Sequence, residues 1–521
     1  MSAVAAGPDR TFNLASACID APLAAGHGRS PAIVCEGRTL TYDDLAELVA
    51  RAAGMLRGLG LTREDRCALV LRDGPEFIAT FLGAVRIGVV PVPFSTLLTA
   101  PEIRYQLGNC GAKAVVASAG LTSLVDDARS GLPVEGRLVA TDPDVPRGWR
   151  SFDDLIASSP RVTEAVPTGA DDWCFWQYSS GTTGRPKAVV HTQAGAAFPR
   201  EGHGRHVVGI GPGDRSFSVS KLFFSYGLGS SLLIPLQVGA SVVLEPGRPM
   251  PKVVFDLITR ERPTIVYAVP TAYAAALAYA EEGNACDLSS VRICVSAGEA
   301  LPAALCARWH RRFGVEIVDG IGSTEVGYIA ISNRPGQVRP GTSGRVLPGY
   351  EAKVVDADGR TVAPGEVGDL WIRGGSTSLY YWRDRAQTER TYIGEWVVTG
   401  DKYAVDADGW FTHAGRSNDM LKVGGIWVSP IEVEGCLLQH PAVLEAAVVG
   451  REDRDELVKP CAYVVLKDGR APSPALAAEL QAFVKGRLAT YKYPRWIEFT
   501  TELPKTATGK IQRYRLREGR S

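Results

Sequence analysis

The chain has no net charge to spend on a partner: 57 Lys and Arg are matched by 57 Asp and Glu over 521 residues. Nucleic-acid and membrane-surface proteins carry a sustained excess of cations, so neither class is expected. No apolar run approaches the ~18 residues of a membrane span. Met1–Asn13 also lacks the basic stretch and apolar core of a secretion signal. A soluble, cytoplasmic protein is the expectation. The ten cysteines (Cys18, Cys35, Cys67, Cys110, Cys174, Cys286, Cys294, Cys306, Cys436, Cys461) never form a C-x-x-C pair, and many lie in apolar runs such as Val291–Val295. They read as reduced, buried thiols, not as a disulfide framework or a zinc site. His203 and His206 make an H-x-x-H without a cysteine or acidic ligand cluster. A surface loop is expected there, and no metal. Internal repeats and long low-complexity tracts are absent as well.

What is present begins with length, since 521 residues exceed one ordinary core and predict at least two domains. Apolar residues recur at helical spacing over Tyr42–Leu56, with Thr41 as N-cap. Cys67–Leu71, Pro75–Ala84 and Val89–Pro93 then read as strand, helix and strand. The alternation returns through Ala240–Leu244, Val254–Ile258, Ile265–Ala268 and Val291–Ala297, which predicts parallel sheets covered by helices. A large α/β domain is expected over 1–416 and a smaller α+β domain over 417–521, with the turn-rich Gly415–Asp419 as a hinge. From Lys485 onward ten basic residues face three acidic ones. That tail is a solvated face or a receiver of an anionic partner.

Tyr178-Ser179-Ser180-Gly181-Thr182-Thr183-Gly184-Arg185-Pro186-Lys187 concentrates glycine and hydroxyl side chains directly after the strand-like Trp173–Trp176. Glycines let backbone N–H groups turn toward an anion, Ser and Thr add donors, and Lys187 adds charge. The composition is that of a loop that grips a polyphosphate. It is not the G-x-x-x-x-G-K-[ST] loop of kinases and GTPases, because no Gly-Lys-Ser/Thr follows.

These ten residues resemble the T/S-S-G-T-T-G-x-P-K signature of adenylate-forming enzymes: acyl-CoA synthetases, peptide-synthetase adenylation domains and luciferases. Three further motifs resemble that superfamily in order: Asp319-Gly320-Ile321-Gly322-Ser323-Thr324-Glu325, then Thr399-Gly400-Asp401 with Gly415-Arg416, then Pro504-Lys505-Thr506-Ala507-Thr508-Gly509-Lys510-Ile511-Gln512-Arg513. The resemblance implies an α/β fold with a large N-terminal domain of three subdomains and a small mobile α+β C-terminal domain, acting on ATP and Mg²⁺. By position, Ser179, Ser180, Gly181, Thr182, Thr183, Gly184 and Lys187 would hold phosphates, and Thr324 would donate to the α-phosphate. A carboxylate beside a triphosphate needs a hard cation between them, which makes Glu325 the expected Mg²⁺ ligand. Ser296, Ala297, Gly298 and Glu299, with Asp319, Gly320, Ile321, Gly322 and Ser323, would border adenine. Ile321 replaces the family's tyrosine; it covers the base without stacking as a π-system. Asp401 would accept from the ribose hydroxyls with Arg416 assisting, and Lys510 would bridge the attacking carboxylate and the α-phosphate.

Finer resemblance, over Lys221–Gly229, Asp319–Glu325 and Gly415–Pro430, is to the benzoate–CoA ligase branch. No acidic residue lies between Phe217 and Ser230, so an α-amino acid, whose ammonium needs a carboxylate partner, is not the expected substrate. Phe223, Phe224, Tyr226, Gly227 and Gly322 suit a flat uncharged ring, the glycines leaving it room; a core-packing role for the same aromatics stays open. Asn418 stands at the family's swivel position, and Gly424, Gly425 and Trp427 at its thiol tunnel. The thiol is that of coenzyme A or of the phosphopantetheine arm of an acyl carrier protein. A non-catalytic scaffold or adenylate sensor is disfavoured, since Lys187, Thr324, Glu325, Asp401, Arg416 and Lys510 are all in place.

Overall fold

The computed structural model describes residues 11–518 except 133, 135–136, 142–143, 180–184, 417–418, 424–425, 454–456, 489–490 and 506–510. Local signals act where the sequence places them. Thr41 and Asp44 form a reciprocal capping box, with Asp44 N–H donating to Thr41 Oγ1 at 3.2 Å and Thr41 N–H to Asp44 Oδ2 at 2.9 Å. The helix they start, Tyr42–Gly58, buries Leu45, Val49, Ala52, Ala53 and Leu56 against the helix Pro75–Arg86.

Three sheets carry the N-terminal part. In the first, Val90–Pro93, Arg66–Val70, Ala114–Ala117, Leu138–Ala140 and Arg150–Ser151 lie side by side and all parallel. The second has nine strands among the described residues. Its parallel centre runs Ile317–Gly322, Ile293–Ser296, Ile265–Ala268, Arg215–Ser218, Ser241–Leu244 and Pro31–Cys35. Pro31–Cys35, Ser241–Leu244, Ile265–Ala268 and Ile293–Ser296 are mostly apolar, as strands buried on both faces are. The third sheet is antiparallel and pairs Trp396–Val405 with Val367–Gly374 and Phe411–Arg416. The predicted alternation is borne out, with Val254–Ile258 falling inside the covering helix Pro251–Glu261.

The phosphate-loop motif joins an antiparallel hairpin, Trp173–Ser179 with Lys187–Thr192, whose register sets Ser179 opposite Lys187. The C-terminal part has its own sheet of Val443–Glu452, Val458–Leu466 and Trp496–Phe499, and its own core of Val428, Val433, Leu437, Val448, Val464, Leu480 and Val484. The helix Pro430–Leu437 packs on the strand Phe411–Arg416. All ten cysteines are free, nine of them buried and Cys286 half-buried. Burial pushes the Cys67 and Cys294 thiols up to about 12, which makes them inert. Among the described residues no helix is long and apolar enough to cross a membrane.

Candidate active site

Parallel strands present their carboxyl ends together, and ligands of open α/β sheets bind in the crevice there. Ser296 and Asp319 are the last paired residues of neighbouring parallel strands, and Ser323–Glu325 follow directly after Gly322. Glu325 Oε1 accepts from Ser179 Oγ and from Tyr381 Oη, each at 2.9 Å. Lys187, brought beside Ser179 by the hairpin, lies over the Tyr381 ring at 5.2 Å. Burial pulls its ammonium below the usual lysine range, while Asp384 and Glu325 act to raise it. The chain thus assembles a carboxylate, two hydroxyls and a cation from segments far apart in sequence. One carboxylate fits a Mg²⁺ ion that takes its other oxygens from phosphates and water. Among the described residues no group of three His, Cys, Asp or Glu could hold a metal unaided.

Ser225 Oγ bonds Gln177 Oε1 at 2.7 Å and lies 3.1 Å from Thr324 Oγ1, fixing Thr324 at the mouth of the same crevice. On the ribose side, Asp401 and Arg416 are cross-strand partners, with Arg416 Nε 3.0 Å from Asp401 Oδ1. The Asp401 carboxylate raises the guanidinium above its ordinary range. Glu299 Oε2 accepts from Thr271 Oγ1 at 2.7 Å, anchoring the Ser296–Glu299 turn. Asp319, by contrast, is buried, and desolvation raises its carboxyl well above the usual range.

The structure shows what surrounds the residues expected on the acyl side. Phe223 is buried in a core that draws on both the first and the second sheet, with Phe224 packed against the same core, as the core-packing alternative has it. Tyr226 turns the other way, onto the core that includes Tyr267, Val295 and Tyr328. Gly227 and Gly322 sit against neighbouring backbone. A Cβ on Gly227 would stand 2.0 Å from the Lys221 carbonyl oxygen, and one on Gly322 2.0 Å from that of Tyr328. Both are glycine because backbone passes there. His203 is no surface residue. It is fully buried in the π-helical segment Arg200–Val208, while His206 is exposed. Its neighbours Gly202 and Gly204 let that segment close on Tyr350 and Ile234.

Ser180–Gly184, Asn418, Gly424, Gly425 and Lys510 lie outside the described residues, as does the side chain of Trp427. The end of the last motif is visible: Arg513 donates to Glu434 at 2.7 Å and approaches Asp419 at 3.7 Å, and Arg517 bonds Asp419. Residue spacing alone missed Tyr381, Ser225 and Gln177. Ser225 stood inside a motif already quoted, whereas Tyr381 meets Glu325 from 56 residues away and has no spacing signature.

Comparison with known proteins agrees with this arrangement. Residues 22–382 match the model described as AMP-binding enzyme, and residues 432–510 that of the AMP-binding enzyme C-terminal domain. The benzoate–CoA ligase of Thauera aromatica is 47% identical over 512 residues, 98% of this chain and 96% of the relative. The benzoate CoA ligase structure from Burkholderia xenovorans LB400 has a TM-score of 0.89 at 44% identity, covering 97% of this chain and 100% of that one. An anthranilate CoA ligase solved with anthranoyl-AMP has a TM-score of 0.92 at 43% identity, covering 98% and 97%. With two matched models in chain order and full-length relatives of this similarity, the chain belongs to the AMP-binding enzyme family.

Proposed function

We propose that the protein activates a benzoate-type acid with ATP and passes the aryl group to coenzyme A. One observation carries this reading most directly. Glu325, Ser179, Lys187 and Thr324 converge at the carboxyl ends of the parallel strands, with the Asp401–Arg416 pair as a ribose anchor. In the first half-reaction a carboxylate oxygen of the acid attacks the α-phosphorus of ATP, the bond to the β-phosphate bridging oxygen breaks, and pyrophosphate leaves with the electron pair. Lys187, Ser179 and the loop 180–184 offset charge on the phosphates, Thr324 donates at the α-phosphate, and Lys510 approaches both reactants as they meet. Glu325 would hold Mg²⁺, which supplies charge neutralisation when bound.

In the second half-reaction the thiolate of coenzyme A attacks the acyl carbonyl and AMP departs. A 417–521 lid turning about Asn418 would withdraw Lys510 and bring Gly424, Gly425 and Trp427 to the thiol channel. Coenzyme A is favoured over a carrier protein because the full-length relatives named above are CoA ligases.

The deciding assay is AMP release from ATP and benzoate with coenzyme A, with an acyl carrier protein bearing phosphopantetheine, and with no thiol. Rapid turnover only with coenzyme A is expected. Turnover confined to the carrier protein would replace the acceptor, and exchange only with acetate, a long fatty acid or phenylalanine would replace the substrate class.

A further inference from the structure

The first and second sheets meet at a buried carboxylate that the reaction leaves unused. Asp73 follows the strand Arg66–Val70 of the first sheet and is 3% exposed. Its Oδ1 accepts from the Leu222 backbone N–H at 3.0 Å, a bond that spans 149 residues of chain and reaches the turn after Arg215–Ser218 of the second sheet. Lys221, in the same turn, is partly buried; its ammonium donates to the Glu245 carbonyl and acts on Asp73 by charge. The turn closes on itself, with the Phe224 N–H donating to the Lys221 carbonyl at 3.0 Å. A Cβ on Gly227 would stand 2.0 Å from that same carbonyl oxygen, so the chain leaving the turn lies directly against it.

From this turn a bonded route leads to the reaction centre. The Phe223 carbonyl accepts from Gln177 Nε2 at 3.0 Å, Gln177 Oε1 accepts from Ser225 Oγ at 2.7 Å, and Ser225 Oγ lies 3.1 Å from Thr324 Oγ1. Gln177 belongs to the hairpin strand Trp173–Ser179, whose Ser179 bonds Glu325. A shift at Leu222 is therefore passed on to the Thr324 hydroxyl, and misplacing a reacting group by about 1 Å can cost on the order of 10² in rate. The titratable groups around Asp73 come from four elements. Lys221 lies in the turn, Glu245 follows the strand Ser241–Leu244, Cys35 and Glu36 stand at the end of Pro31–Cys35, and Glu76 opens the helix Pro75–Arg86. Burial raises the Asp73 carboxyl to about 6; Lys221 and the Leu222 N–H oppose the rise and Glu245 adds to it. Burial likewise raises Glu76 and pushes the Cys35 thiol up to about 12, so that thiol carries no charge.

We propose that Asp73 is a positioning residue for aryl-adenylate formation: with Lys221 it pins the turn 221–225 to the first sheet, and the turn holds Thr324 in place through Gln177 and Ser225. The inference rests on the adenylating reading of the site, in which Thr324 donates at the α-phosphate. ATP–pyrophosphate exchange with benzoate and the purified enzyme, followed from about pH 5 to about pH 8, tests it. Wild-type kcat should fall on the acid side with a midpoint near about 6, as Asp73 takes up a proton and its hold on Lys221 and Leu222 weakens. Asp73→Asn, neutral at every pH, should have a kcat about tenfold lower on the alkaline side, a KM for ATP within about twofold of wild type, and no acid limb. Lys221→Met should move the limb to higher pH and Glu245→Gln to lower pH, because these two groups act on Asp73 with opposite sign. Thermal melts check that each variant folds, and the two shifts decide the matter even if Asp73→Asn does not. Asp73→Asn with wild-type kcat, or with a lowered kcat that keeps the wild-type limb, would overturn the inference and leave the adenylating reading intact. So would a limb at one and the same pH in wild type, Lys221→Met and Glu245→Gln. Wild-type exchange supported by no acid at any pH would overturn both.

Discussion

At the phosphate end of the cleft the polar groups hold one another: Ser179 and Tyr381 bond Glu325, Ser225 bonds Gln177, and Arg416 bonds Asp401. In the core beside Tyr226, the side chains of His203, Tyr267 and Tyr328 have no such bonds among the described residues. Exposure accounts for part of the contrast: Glu325 and Arg416 are partly exposed, whereas Asp401 and Gln177 are buried but paired. Charged groups that meet a mobile, water-borne ligand stay partly solvated, and mutual bonds place them before it arrives. Neutral groups sealed away from water have no such exchange, so unpaired ones destabilise the fold.

The largest effect should come from Lys510, the cation proposed to meet the α-phosphate. Lys510→Ala is expected to slow aryl-adenylate formation by on the order of 10²–10³ while largely sparing thioester formation from pre-made benzoyl-AMP. Single-turnover assays of each half-reaction measure this, and equal loss in both would show that the lid does not change place between them. Next in size is Asp401→Asn. It should weaken the ribose anchor, raising KM for ATP about tenfold with a smaller change in kcat, and pyrophosphate exchange against ATP concentration would reveal the split.

Smaller effects separate the two regions by stability. Tyr381→Phe removes a bond to a carboxylate and should lower both exchange activity, by about three- to tenfold, and the melting temperature, since such bonds are worth about 1.5–3 kcal/mol. His203→Phe should do the reverse to stability, adding about 1 kcal/mol because an unpaired buried imidazole is replaced by an apolar ring of similar shape. If both variants melt lower by the same amount, the contrast between paired and unpaired groups is wrong.

Acid sharpens the same point. Burial holds His203 and His191 each down to about 3, while an unfolded histidine protonates near ~6.5. Below that pH the unfolded chain takes up protons that the fold refuses, so stability is lost as the medium is acidified from about 6.5 toward 3. His203→Phe should flatten that acid limb, as read from denaturant midpoints between pH 7 and 4.

The sequence by itself determined what neighbouring residues settle between themselves. The Thr41–Asp44 capping box, the buried parallel strands and the hairpin strands ending at Ser179 and starting at Lys187 are written within a few residues of one another. The order of four motifs was likewise legible, because each is a local run. Only the tertiary structure decided which side chains meet. Glu325 receives Ser179 from 146 residues away and Tyr381 from 56. Phe223 and Tyr226, three positions apart, enter different cores because the short helix Ser225–Leu228 turns the chain between them. Gly227 and Gly322 were read as space for a substrate, and the structure adds that a Cβ at either would strike backbone. His203 was read as exposed from its polarity, yet two flanking glycines allow its segment to pack inward. Spacing reports periodicity along one element. Burial and partnership depend on what the rest of the chain lays over that element, and no local run of residues encodes it.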